Sequence, residues 1–308
     1  KAIVEKLKRE NNLSYEPEEV FASAGAKQAI FNAFAASLNK GDEVIIPAPF
    51  WVSYADIVEI FEGKPIIHKT RLENKFKITG KELATLITPK TKWLILNSPS
   101  NPTGEVYTKE ELSSLAKVLL KNPQVMVLSD DIYEHLIFEG KQFYNILNVE
   151  PKLMERVLVI NGVSKSYSMT GFRVGYGAMK NPALIKAIIN LQGQSTSSPC
   201  AISQEAATFA INNCYNFTVQ MREIMEKRRN IALAGLSKIK GLQVLKPEGK
   251  TLTNDAEVCE YLLEKAGVAL VFGSAFGYPD FIRLSYATSE EVIKQGVERI
   301  TNAFSKLI

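Results

Sequence analysis

Along the first two-thirds of the chain, short apolar runs alternate with stretches in which apolar residues recur every three or four positions. The runs predict strands near 19–23, 43–46, 65–68, 93–97, 125–129, 157–160 and 173–178. The periodic stretches predict helices near 2–11, 26–38, 52–62, 108–120 and 180–194. In the 26–38 stretch, Ala26, Ala29, Ile30, Ala33 and Phe34 fall on one helical face. This alternation implies an α/β fold, a seven-stranded sheet sandwiched by helices. Most strands should be parallel, because long crossovers separate them. The link between 157–160 and 173–178 is too short for a helical crossover, so one strand should be antiparallel.

Beyond about residue 210 the pattern changes. A long charged helix from Thr218 to Lys238 leads to a short strand-like run near 242–245 and a helix over 255–266. Apolar pieces near 268–272 and 280–286 follow, then a final helix over 289–306. The predicted organisation is a large domain over 1–210 and a small α+β domain over 211–308, reached through the long helix. There are no internal repeats and no low-complexity tract.

Composition narrows the function classes. The 308 residues are enough for a substantial core, and 46% hydrophobic with 23% charged residues is ordinary for a globular protein. No apolar run is long enough to span a bilayer, and the chain starts in a charged amphipathic stretch with no export signal. Thirty-seven basic against 33 acidic residues leave a charge of +4 without a basic stripe, which disfavours nucleic acid as partner. Cys200, Cys214 and Cys259 fit neither a disulfide framework nor a zinc site, and a reducing cytoplasm is the simplest setting. His68 and His135 are the only histidines, which argues against a multi-histidine metal site or a Ser-His hydrolase. His135 is expected to satisfy a local polar contact, and Met221 and Met225 to serve packing.

Five loops at predicted strand ends carry the candidate chemistry. Lys165 lies in the polar loop Asn161–Arg173; a partly desolvated lysine can lose its proton near neutral pH and attack a carbonyl. Arg173, eight residues on, can hold a phosphate by a bidentate contact. Asp130, after the apolar run Val125–Leu128, falls where ligands of open α/β sheets bind, with Tyr133 one helical turn on. Ser23-Ala24-Gly25-Ala26-Lys27-Gln28 offers small residues at a helix N-terminus, where backbone N–H groups and the macrodipole favour an anion. Asn97–Gly104 is a rigid loop presenting Asn101, and Pro47-Ala48-Pro49-Phe50-Trp51 presents an aromatic ring for stacking.

Each loop also has a plainer explanation. Lys165 can be a surface lysine, Asp130 a helix N-cap, Trp51 a core residue, and the glycine and proline segments simple turns. The Gly25 region matches neither the dinucleotide nor the Walker fingerprint, and Gly249-Lys250-Thr251 fails as a Walker motif because Val244 stands where glycine is required. Together, however, the five supply a phosphate site, a carboxylate for a pyridinium nitrogen, partners for a phenolic oxygen and a lysine for an aldehyde. Those are the needs of pyridoxal 5′-phosphate.

The ordered set Ser23–Gln28, Pro49-Phe50-Trp51, Asn101-Pro102-Thr103-Gly104, Ser129-Asp130-Asp131-Ile132-Tyr133, Ser164-Lys165 through Arg173, and Arg283-Leu284-Ser285-Tyr286-Ala287 resembles the class I aminotransferases. It most resembles the prokaryotic aspartate aminotransferase branch, and the likeness covers nearly the whole chain. The resemblance implies the fold type I architecture, a homodimer with shared active sites and ping-pong transfer between an L-amino acid and a 2-oxo acid. It implies that Lys165 forms the Schiff base with the cofactor and shuttles the α-proton. Asp130 would pair with the ring nitrogen, Asn101 and Tyr133 with the ring oxygen, and Gly25, Ala26, Lys27, Ser164 and Arg173 with the phosphate. Trp51 would stack on the ring and line the substrate pocket with Asn101, and Arg283 would bind the substrate α-carboxylate. The family's proline pattern also implies cis peptide bonds at Ala48-Pro49 and Asn101-Pro102.

Two departures accompany the resemblance. The family's segment ahead of the first helix, with a glycine near the substrate and a tyrosine reaching the neighbouring subunit, has no counterpart. After Pro247-Glu248-Gly249, where the family has an aromatic-rich strand and loop, Lys250–Asp255 runs straight into the next helix, so residues are expected to be missing there. An intact mass of 34.2 kDa in solution would refute that expectation. Alternatives on the same scaffold are an aromatic or prephenate aminotransferase and a carbon–sulfur β-lyase. A non-catalytic pyridoxal-phosphate-binding regulatory domain is the alternative of a different class.

Overall fold

Seven strands make one sheet: β1 (Val20–Ser23), β2 (Glu43–Ala48), β3 (Lys64–Lys69), β4 (Thr91–Asn97), β5 (Met126–Asp130), β6 (Val157–Gly162) and β7 (Gly175–Ala178). A computed structural model describes residues 1–239, 242 and 255–306 of the chain. The strand order is β1-β7-β6-β5-β4-β2-β3, and β7 alone runs against its neighbours. The predicted single antiparallel strand is therefore present.

Both faces of the sheet are covered, and the alternation of side chains shows how. Val44, Ile46, Trp93, Ile95, Leu128, Leu158 and Ile160 point to one core, where they meet α2 (Ala26–Ala35), α3 (Ser53–Ile60) and α7 (Pro182–Gly193). Ile45, Leu94, Leu96, Val127, Val157 and Val159 point to the other, against α1 (Ala2–Asn11), α5 (Lys109–Lys121) and α8 (Ala201–Asn213). The buried Trp93 ring has its indole N–H satisfied by Ser37 Oγ at 3.0 Å.

The remaining described elements are α4 (Gly80–Leu86), α6 (Ile146–Val149), α9 (Tyr215–Leu236), α10 (Asp255–Ala266), β8 (Val271–Phe272), β9 (Ile282–Arg283) and α11 (Glu290–Phe304). Leu236, Ile239, Leu262, Ile300, Ala303 and Phe304 form a third core among them. No helix among the described residues is long and apolar enough to cross a membrane.

Several sequence expectations need correcting. The helix predicted over 26–38 ends at Ala35, and that predicted from Thr218 to Lys238 spans Tyr215–Leu236. The strand predicted from residue 173 starts at Gly175, because Arg173 takes a left-handed conformation, φ 54°. Helices α4, α6 and α8 escape the periodicity. For α4 a capping box, Thr79 with Glu82, was a usable signal. In α8 the buried face is mostly alanine, which weakens the apolar contrast. The strand expected near 242–245 and the shortened stretch after Gly249 lie outside the described residues, except for Leu242 and Asp255.

Candidate active site

The candidate residues converge because five strands end on one edge of the sheet. Asn97 ends β4 and Asp130 ends β5, directly paired across the ladder. β6 runs into the loop carrying Lys165, β1 into Gly25, and β2 into Pro49 and Trp51. This is the carboxyl edge of the sheet, where open α/β folds bind ligands. Three X–Pro bonds in these loops are cis: Ala48-Pro49 and Asn101-Pro102, as the resemblance implies, and also Ser98-Pro99.

Asp130 is not a helix cap, since the chain after it turns without forming a helix. Its carboxylate is 4% exposed and accepts a hydrogen bond from Tyr54 OH at 2.6 Å on Oδ2. Oδ1 receives only a long contact from the Ile132 N–H, 3.4 Å. Burial pushes the Asp130 carboxyl up to about 6, against the Tyr54 hydroxyl, the Ile132 N–H and the Lys165 ammonium. Tyr54 is held as a protonated donor, because burial and the Asp130 charge drive its phenol well above the ordinary value. An oxygen with so weak a donor, buried at a strand end, suits a further N–H or cation.

Lys165 stands in the loop after β6 with its Nζ 5.6 Å from the centroid of the Tyr133 ring. It stays accessible to solvent, yet the walls around it strip part of its hydration. That desolvation, with the charge of Arg283 and then Arg173, holds the amine below its ordinary pKa, and Asp130 acts in the opposite sense. Tyr133 is pushed up to about 12 by burial and by Asp130. Ser164, buried beside Lys165, has no hydrogen-bond partner among the described residues.

Gly25 begins α2 at φ 90°, a conformation that disfavours any side chain. A Cβ placed there would lie 2.3 Å from Arg173 Nη2, so the guanidinium sits directly against the glycine. Gly175 of β7 is equally constrained, since a Cβ there would strike Ala26 N at 2.3 Å. Two glycines thus let the helix start, the strand and the arginine close on one another. Helix α2 has no side-chain cap and no acidic residue in its first turn, leaving the Ala26 and Lys27 N–H groups open to an anion. Arg173 bonds only backbone carbonyls, Thr170 O at 3.2 Å and Ala24 O at 3.3 Å, and forms no ion pair among the described residues. Lys27 turns its ammonium 4.9 Å over the Trp51 ring, so its backbone rather than its side chain serves the helix start.

Trp51 is half-buried and packs edge-to-face on Tyr54, with ring centroids 5.3 Å apart. Asn101 donates its N–H to Asn97 Oδ1 at 2.8 Å and accepts from Arg283 Nη1 at 3.2 Å. Arg283 also lies 5.5 Å from the Phe276 ring centroid and has no carboxylate partner among the described residues. It lines a cleft of about 510 Å³ bounded by Pro102, Phe138, Arg229, Tyr278 and Phe281, whose lining includes neither Lys165 nor Asp130.

Residues 1–300 match the family described as aminotransferase class I and II. The chain belongs to that family. A probable aspartate/prephenate aminotransferase of Rickettsia bellii is 49% identical over 325 residues, covering 99% of this chain and 81% of that protein. The crystal structure of the aspartate aminotransferase from Rhizobium meliloti superposes with a TM-score of 0.94 at 44% identity, covering 99% of this chain and 80% of that one. An aromatic aminotransferase from Pyrococcus horikoshii OT3 superposes with a TM-score of 0.93 at 34% identity, covering 99% and 85%. The stretch shared with the Rickettsia protein is longer than this entire chain, so the aligned region holds positions that this chain lacks.

The protein is thus a pyridoxal-phosphate-dependent aminotransferase of the aspartate aminotransferase type. The aminotransferase has a donor set that fits this cofactor: a buried carboxylate with one weakly used oxygen, an uncapped helix start beside an unpaired arginine, and an amine below its ordinary pKa. Sequence reasoning missed Tyr54, whose role rests on a contact across 76 positions. Nothing in its local pattern marks it, apart from lying one helical turn beyond Trp51. His135 makes the expected local contact, with Glu134 Oε1 3.8 Å from its Nδ1, but sequence reasoning missed its two distant partners, Ser166 Oγ at 2.8 Å and Glu10 Oε2 at 3.0 Å.

Proposed function

We propose that this aminotransferase transfers the amino group of aspartate to a 2-oxo acid in a ping-pong cycle, through Lys165. The observation that carries the reading is the Lys165 amine, below its ordinary pKa and within the electrostatic reach of Asp130, Arg173 and Arg283. Gly25, Ala26, Lys27, Ser164 and Arg173 would hold the cofactor's phosphate, Asp130 its ring nitrogen, Asn101 and Tyr133 its ring oxygen, Trp51 its face, and Lys165 its aldehyde carbon. When bound, the cofactor supplies an electron sink for the carbanion at the substrate Cα. Arg283 binds the substrate α-carboxylate by charge-assisted hydrogen bonds, and Asn101 steadies its guanidinium. Trp51 and Asn101 line the substrate's path. Lys165 Nζ, whose surroundings lower its pKa and so favour the unprotonated amine, takes the α-proton and later returns it.

Aspartate as the donor is supported by the names of the Rickettsia and Rhizobium relatives. The aromatic wall of the cleft, Phe76, Phe138, Tyr278 and Phe281, supports a second reading with an aromatic or prephenate-type substrate. A panel of amino donors against 2-oxoglutarate and oxaloacetate decides between them, with Lys165→Ala as control. Turnover of aromatic donors without aspartate would overturn the first reading, and turnover retained by Lys165→Ala would overturn the role of Lys165. A homodimer is supported by exposed apolar side chains on α8 and α9, Ile202, Phe209, Tyr215 and Phe217. A division into domains at 1–210 and 211–308 is supported by the separate core around Leu262 and Phe304. Three free cysteines suit a cytoplasmic location.

A further inference from the structure

Immediately after Tyr133, two polar side chains turn inward and grip the Lys165 loop at its start and just past Lys165. Glu134 accepts from Asn161 Nδ2 at 2.7 Å, and Asn161 Oδ1 accepts the Gly162 N–H at 2.7 Å where the loop leaves β6. His135 bonds Ser166, the residue just past Lys165, through Nδ1 at 2.8 Å. Both grips are anchored by the first helix. Lys6 pairs with Glu134, Asn11 Nδ2 donates to Glu134 Oε2 at 2.5 Å, and Glu10 Oε2 meets His135 Nε2 at 3.0 Å. Lys6 also lies 3.6 Å from Glu10, so its ammonium stands among the carboxylates of this Glu10, Glu134 and His135 cluster. The rings of Tyr167 and Tyr215 pack edge-on against His135, at 6.2 and 6.0 Å, and close the site.

The network is buried: Lys6 is 1% exposed, Glu134 6%, Asn161 2% and Ser166 1%. Burial raises the Glu134 carboxyl, but Lys6, His135 and the hydrogen bonds from Lys6 and Asn11 outweigh it and leave the group below its ordinary value. Glu10 follows the same pattern, with His135 and Lys6 overcoming burial. Buried ion pairs stabilise a fold poorly compared with apolar packing of the same volume, whereas their directional bonds fix one arrangement. The loop has reason to need fixing. Ser168 and Arg173 both take positive φ, near 54°, a left-handed conformation that costs a residue bearing a Cβ.

We propose that His135 is a positioning residue for the Lys165 loop, the centre of a hydrogen-bond chain Glu10–His135–Ser166 through which helix α1 sets the amine of Lys165 against Tyr133 and Asp130. Nε2 shares its hydrogen bond with Glu10 Oε2, and Nδ1 shares one with the Ser166 hydroxyl. The inference rests on the proposed role of Lys165. No bond is made or broken in the relay during turnover. Its effect is on where the amine stands.

The test uses the cofactor-loaded enzyme and the variants His135→Phe, His135→Gln, Ser166→Ala and the double His135→Phe/Ser166→Ala. Two readouts are taken: kcat and KM for the amino donor, and the pH midpoint of the absorbance of bound pyridoxal phosphate. His135→Phe and Ser166→Ala should each lower kcat about ten- to a hundredfold with KM little changed, because small misplacements of a reacting group carry large rate penalties. Both should shift the absorbance midpoint. His135→Gln, which retains a donor and an acceptor, should recover part of the loss. The double variant should be no worse than the worse single one, as expected of residues acting through one bond. Ser166→Ala removes only a hydroxyl and keeps the test valid if His135→Phe does not fold. Ser166→Ala with kcat within about twofold of the parent and an unmoved midpoint overturns the proposal, as does multiplication of the two single effects. Lys165→Ala separates the two claims: if it abolishes turnover while Ser166→Ala does nothing, only the relay is wrong; if it leaves turnover intact, the reading of Lys165 is wrong.

Discussion

The two walls of the site are built differently. Asp130, Asn97 and the Lys165 loop stand on central strands whose side chains are buried on both faces, with Leu94, Leu128, Val157 and Ile160 at 0% exposure. Arg283 stands on β9, a two-residue strand that is half-buried and, among the described residues, paired only with the exposed β8. The first wall is continuous with the main core, while the second hangs on the small core around Leu262. A cofactor that must be held through every turnover suits the rigid wall. A substrate that must enter and leave suits the wall with fewer buried contacts, since elements of low contact density open at lower free energy.

The largest expected effect lies on the rigid wall. Lys165→Ala should reduce transamination by about 10⁴-fold or more, because the only proposed proton carrier is lost. Steady-state rates with a saturating amino donor measure this, and a loss of less than about tenfold would place the proton transfer elsewhere. Next, on the less densely packed wall, Arg283→Leu should lower kcat/KM for the amino donor about a hundredfold, the usual scale for truncating a hydrogen-bonded charge pair. The absorbance of bound cofactor should stay unchanged. If Arg283→Leu strips the cofactor, the two walls are not separable.

Asp130 gives a pH test of the rigid wall in cofactor-free protein. Its folded pKa of about 6 exceeds the ordinary 3.8, so between these values the folded chain holds a proton that the unfolded chain has lost. The contribution to stability is therefore complete below pH 4 and is lost as pH rises through 6. Relative to Asp130→Asn, the parent should gain about 2.5 kcal/mol between pH 7 and pH 4, read from denaturant unfolding at each pH. A difference that is flat with pH would mean the carboxylate is better paired than Tyr54 alone allows. The smallest effect is Tyr54→Phe, which removes one hydrogen bond to a charged acceptor. About a tenfold loss in kcat, from roughly 1.5 kcal/mol, is expected, with the Asp130 pKa displaced upward. An unchanged rate would make the Tyr54 contact one of packing alone.

Much of the first wall was legible in the chain. Alternating apolar runs such as Val125–Leu128 marked the strands, and Asp130 and Lys165 could be placed at strand ends from that pattern alone. Arg283 was different, because two residues of strand between turns leave almost no periodicity, and only the family resemblance singled it out. Tyr54 and the Glu10–His135–Ser166 chain left no trace, since their partners are 76, 125 and 31 positions away. A local reading of His135 therefore found its contact with Glu134 and missed the two distant partners.

The order of the sheet strands along the chain, the positions of the loops that carry chemistry and the choice of cofactor follow from local periodicity and from motifs a few residues long. Both depend on covalent neighbours, and covalent order is what a sequence records. The protonation of Asp130 and Lys165, the pairing of Gly25 with Arg173 and the tie between α1 and the Lys165 loop were decided only by tertiary structure. Each depends on how much water burial removes and on which charges meet through space, and neither quantity exists until distant segments pack.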